Sequence, residues 1–93
     1  MTERDEPGQL PFVALGARIR DVRVLRRMSQ AEVATRAGIH RTRVSQIESG
    51  QQLSVETLFR LARALDVHPA DLLDDRDEGA LLARLRQQRD DRP

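Results

Sequence analysis

The chain has 93 residues, enough for one small domain that buries only about 60–65% of its unfolded surface, so its stability is expected to be modest or shared with a partner. It has no cysteine, tryptophan or tyrosine and only two phenylalanines, Phe12 and Phe59. This excludes disulfides and thiolate metal sites and argues against an aromatic platform for single-stranded nucleic acid. The net charge of +1 hides an uneven distribution: residues 18–68 contain ten arginines and five carboxylates, while both flanks carry more carboxylates than arginines. A basic middle suits a polyanion, or is simply the solvated side of arginine-rich helices.

In chain order, MTERDEPGQLP is acidic and has no apolar signal core, so secretion is not expected, and residues 1–11 read as a flexible tail. From Phe12 to Arg27, apolar residues at Phe12, Leu15, Ile19, Val22 and Leu25 trace one face of a helix. Ser29-Gln30-Ala31-Glu32 is a capping box, with Met28 and Val33 as its hydrophobic staple, and predicts a second helix to about Ala37. Gly38 supplies the left-handed stop. A third helix is expected from near His40 to before Gly50, stapled by Ile39 and Val44 and buried through Ile47. Ser54 caps a fourth over Val55–Leu65, with Leu58, Leu61, Ala62 and Leu65 inward.

His68-Pro69 opens a short fifth helix, stapled by Val67 and Leu72. Residues 75–93 read as an acidic linker followed by a helical extension over about Ala80–Arg89, whose Leu81, Leu82 and Leu85 have no obvious place in a five-helix core. No strand pattern, internal repeat or low-complexity tract is visible, so the fold class is all-α. No apolar run approaches the roughly 20 residues of a membrane span, and a soluble, cytoplasmic protein is the expectation.

The stretch Ser29–Gly50 carries the functional signal: two short helices meet at Gly38, and the second carries Arg41, Thr42, Arg43 and Gln46 on its outer side. A short helix held at a fixed angle with long polar side chains at its N-terminal end suits the DNA major groove. Arg41 can fork onto guanine O6 and N7, Thr42 can bond a base edge or meet a thymine methyl, and Gln46 can pair with adenine N6 and N7.

Gln30, Ala34, Gly38, Val44 and Ile47, followed by Glu48-Ser49-Gly50, resemble the Cro/C1-type helix-turn-helix family, also called the Xre family of transcriptional regulators. Val67-His68-Pro69-Ala70-Asp71-Leu72-Leu73 resembles the family's usual ending, so the resemblance spans about residues 12–74. It implies a five-helix lambda-repressor-like DNA-binding domain, here with a short extra C-terminal helix. It also implies a homodimer on a palindromic double-stranded operator, since one such unit reads too few base pairs to be selective.

Residue by residue, the resemblance assigns Arg41, Thr42 and Gln46 to bases. Gln30, Arg43, Ser45, Gly50 and Gln51 are assigned to phosphates, with Gln52 in the same loop. Arg23 and Glu48 become a pair tying the first helix to the third; they could equally be an exposed pair worth under about 1 kcal/mol. His40 stands where the family usually has Ser or Thr and reads as a weaker cap. A charged imidazole there would be disfavoured by the helix N-terminus and favoured by an adjacent phosphate. The Gly38-Ile39-His40-Arg41-Thr42 run and single-domain size are similar to restriction–modification controller proteins, and a phage-type or general repressor fits almost as well.

There is no phosphate loop, nucleophile motif or paired-carboxylate constellation, so no enzyme and no cofactor are expected. The two histidines lie far apart without neighbouring ligands, so no metal site is expected. The competing expectation is an antitoxin or adaptor that binds another protein through residues 76–93.

Overall fold

A computed structural model describes residues 12–73 and 78–90, with the side chains of 12–73 and 82–88. All six described elements are helices: α1 (Phe12–Leu25), α2 (Gln30–Ala37), α3 (Arg41–Glu48), α4 (Val55–Leu65), α5 (Pro69–Leu73) and α6 (Glu78–Asp90). The all-α expectation holds. The expected tail over 1–11 lies outside the described residues, as do linker residues 75–77. None of the described helices is long and apolar enough to cross a membrane.

Three of the four connections that join α1 to α5 share one construction. α1 ends with Arg27 left-handed, and the backbone N–H groups of Arg27 and Met28 donate to the carbonyls of Val24 and Arg23. Gly38 and Ile39 repeat this on Thr35 and Ala34, and Asp66 and Val67 repeat it on Arg63 and Ala62. Each is a Schellman stop, which satisfies carbonyls the helix end leaves bare. The next residue in each case, Met28, Ile39 or Val67, is apolar and wholly or partly buried against the core. It therefore follows one helix and precedes the cap of the next, so a single side chain fixes both ends of the corner.

The caps complete the corners. Ser29 Oγ accepts from Glu32 N at 3.0 Å while the Glu32 carboxylate accepts from Ser29 N at 2.8 Å. That reciprocal bond holds the Glu32 carboxyl below its ordinary value, because the backbone N–H favours the ionised form. His40 Nδ1 accepts from Thr42 N at 3.1 Å and His68 Nδ1 from Ala70 N at 3.0 Å, so both imidazoles serve as N-caps. The α3–α4 connection differs. It also has a left-handed Gly50, with Gln51 N donating to Gln46 O at 3.1 Å, but exposed Gln51 and Gln52 precede the staple residue Leu53 and the cap Ser54.

The core is built from Leu15, Ile19 and Val22 of α1, Val33, Ala34 and Ala37 of α2, Val44 and Ile47 of α3, Leu58, Leu61, Ala62, Ala64 and Leu65 of α4, and Leu72 of α5. Full burial of one such large side chain stabilises by roughly 1.5–3 kcal/mol. Among the described residues a charged one, Arg18, is also buried: from the inner face of α1 it donates from Nη1 to the Leu72 carbonyl at the end of α5. Leu85, left without a place by sequence reasoning, is fully buried in this core, and Leu82 packs beside it because α6 lies against α1. An Arg84–Asp71 ion pair of 2.8 Å joins α6 to α5. The side chain of Leu81 lies outside the described set.

Candidate nucleic-acid interface

The two ends of α3 lie in opposite environments. At the C-terminal end Val44 and Ile47 are fully buried, and Glu48 is gripped by two other helices. Arg23 of α1 reaches its carboxylate twice, Nε to Oε2 at 2.6 Å and Nη2 to Oε1 at 3.1 Å. Arg23 also donates from Nη1 to Met28 O at 2.9 Å, and Gln30 Nε2 of α2 donates to Glu48 Oε1 at 3.1 Å. The Arg23 and Glu48 side chains are 14% and 4% exposed, so this is a mostly buried, fork-on-fork pair and not the weak surface pair the sequence left open.

Gly16 completes the anchor. A Cβ at this position would lie 2.2 Å from Ile47 O and 3.1 Å from Glu48 O, so α1 and the end of α3 meet backbone to backbone. Sequence reasoning passed over Gly16. The available signal was a glycine inside a predicted helix, which costs roughly 1 kcal/mol relative to alanine and so asks for a packing reason.

At the N-terminal end His40, Arg41 and Thr42 are exposed, with Ser45 beside them, while Arg43 and Gln46 are half-buried. Arg43 donates from Nη2 to the Gln52 carbonyl, so it also holds the α3–α4 loop in place. Ser49 Oγ donates to Ser45 O at 3.0 Å. Gly50 is half-buried and Gln51 exposed in that loop. From Gly38 to Leu53 the one carboxylate is Glu48, and it is neutralised inside the anchor. The exposed surface of this segment therefore presents cations and neutral polar groups and no carboxylate, which suits an anionic backbone.

Much of the basic middle of the chain is engaged within the fold. Besides Arg18, Arg23 and Arg43, Arg26 of α1 donates to Leu65 O at 3.1 Å and Asp66 O at 3.0 Å, and Arg60 of α4 donates to Ala37 O at 3.5 Å and pairs with Glu56. Five arginines thus bind backbone carbonyls, three of them, Arg18, Arg26 and Arg60, at helix C-termini, where carbonyls lack intrahelical partners. Much of the arginine excess serves the scaffold, and Arg41 stands out as an exposed arginine on α3.

Comparison with known proteins agrees with this geometry. Residues 19–72 match the helix-turn-helix family. The control protein C.BamHI of Bacillus amyloliquefaciens is 38% identical over 61 residues, covering 63% of this chain and 75% of that protein. The crystal structure of the restriction–modification controller protein C.AhdI from Aeromonas hydrophila superposes with a TM-score of 0.65 at 34% identity, covering 66% of this chain and 94% of that one. The clp gene regulator ClgR from Corynebacterium glutamicum gives 0.68 at 28% identity, over 90% of this chain and 88% of that one.

Proposed function

The chain belongs to the Cro/C1-type helix-turn-helix family of DNA-binding transcriptional regulators, and from that membership we propose that it binds a palindromic operator as a homodimer through α3. Arg41, Thr42 and Gln46 read base edges. Gln30, Arg43, Ser45, Gly50 and Gln51 meet phosphates, and the Arg23–Glu48 pair sets the angle of α3. The observation that carries this reading is the asymmetry of α3: its C-terminal end is locked to α1 and α2 while its N-terminal end projects Arg41 and Thr42 into solvent. Gln30 fits a double role, since one N–H of its carboxamide holds Glu48 and the other remains for a phosphate oxygen.

The homodimer draws support from α4. Val55 and Phe59, one turn apart, are 71% and 56% exposed, an apolar strip that a second copy would cover. In this proposal the cognate genes are those of a restriction–modification system, a reading supported by the similarity to controller proteins. The adaptor or antitoxin reading took its motive from unplaced leucines in 76–93, and burial of Leu85 removes much of that motive.

Selection of bound sequences from random duplex DNA tests the proposal. The expected result is a palindrome with half-sites about ten base pairs apart. A single asymmetric site, or no enrichment, would overturn it. In parallel, Phe59→Glu is expected to turn a dimeric mass into a monomeric one while the helical signal is kept.

A further inference from the structure

His40 is exposed at the cap of α3, immediately before Arg41, and its Nδ1 accepts the Thr42 N–H at 3.1 Å. Accepting there requires the Nδ1 lone pair, so a ring that makes this cap bond carries its N–H at Nε2. Nε2 lies on the opposite edge of the ring from the atom that faces the helix. The cap bond therefore orients an N–H donor outward, beside the exposed Arg41 and Thr42. A serine or threonine cap makes the same bond to the backbone, but it keeps its one O–H donor close to the backbone, whereas the imidazole carries its donor a ring's width further out.

We propose that His40 has a second role beyond capping, donating its neutral Nε2–H to a phosphate oxygen of bound DNA. This rests on the reading of α3 as the DNA-contacting helix. A neutral donor suits the position, because charging the ring at Nδ1 would forfeit the bond to Thr42 N. The contact fixes the register of α3 on the duplex without reading sequence.

The molecule carries its own control. His68 caps α5 with the same bond, Nδ1 to Ala70 N at 3.0 Å, on a helix outside the helix-turn-helix pair. His40→Ser and His68→Ser make the same exchange of one competent cap for another, so their effects on stability should match. Binding of each variant to the selected operator duplex is measured across a salt series and against single-base variants.

His40→Ser is expected to weaken binding about fivefold per half-site, as for loss of one hydrogen bond. His68→Ser should match the parent. The slope of log Kd against log salt should be unchanged in His40→Ser, since a neutral donor releases no counterion. Equal affinities for the two variants would overturn the proposal while leaving α3 as the DNA-contacting helix. A slope smaller by about 0.9 per half-site would overturn the neutral donor in favour of an imidazolium. A lost preference at one base pair would overturn the phosphate assignment. Failure of the parent protein to enrich any sequence would overturn this proposal together with the reading beneath it.

Discussion

The two ends of α3 show how an eight-residue helix can be both fixed and available. Its C-terminal half is held by apolar burial, by a nearly buried carboxylate shared between Arg23 and Gln30, and by direct backbone contact at Gly16. Its N-terminal end makes one capping bond and leaves His40, Arg41 and Thr42 facing solvent, while the next residue, Arg43, holds the α3–α4 loop. So short a helix has little stability of its own. The anchored end supplies the order, and the exposed end inherits it without tertiary contacts that would hide its side chains.

This division predicts that substitutions at the anchored end damage fold and binding together, while those at the exposed end damage binding alone. The largest effect is expected from Gly16→Ala. The added methyl meets backbone, which cannot rotate away, so α1 and α3 must separate. Chemical unfolding should show a loss of about 3 kcal/mol or more despite the gain in helix propensity, and DNA binding should fall beyond the loss of folded protein. Unchanged stability would contradict the close approach. Glu48→Ala should follow at roughly 3 kcal/mol, because it leaves the Arg23 guanidinium mostly buried without its carboxylate. An effect under about 1 kcal/mol would mean that the pair behaves as a solvated one.

Arg41→Ala tests the opposite end. Thermal stability should stay within about 0.5 kcal/mol of the parent, while discrimination at one base pair falls by roughly 1–3 kcal/mol in competition binding. A uniform loss across all sequences would move Arg41 from base reading to phosphate positioning. The smallest effect lies away from both ends, at the corners. Arg27 holds a left-handed backbone with φ 59°, and Arg27→Gly should raise stability by up to about 1 kcal/mol without altering DNA binding. Destabilisation would show that the arginine side chain supports the corner in a way glycine cannot.

Most of the helix boundaries were legible in the sequence because the signals that set them are local. Ser29, Ser54, Gly38 and the staple residues act within a turn of their own position, so α2 and α4 fall where their caps predict. α1 stops at Leu25, two residues short of expectation, because Arg27 adopts a left-handed backbone that nothing in its side chain announces. The outward face of α3 was readable in part: Val44 and Ile47 define its inner face and leave Arg41 and Thr42 exposed as expected, while Arg43 and Gln46, also expected outside, are half-buried.

The sequence by itself therefore determined the helices, their caps and which face of α3 turns outward. Only the tertiary structure decided that Arg18 meets Leu72 O, that Arg26 meets Leu65 O, that Gly16 abuts Ile47 and that Leu85 belongs to the core. Caps and periodicity depend on neighbours a few positions away. A long arginine side chain or a bare glycine takes its meaning from whatever the fold brings beside it, here 54 residues away for Arg18 and 39 for Arg26.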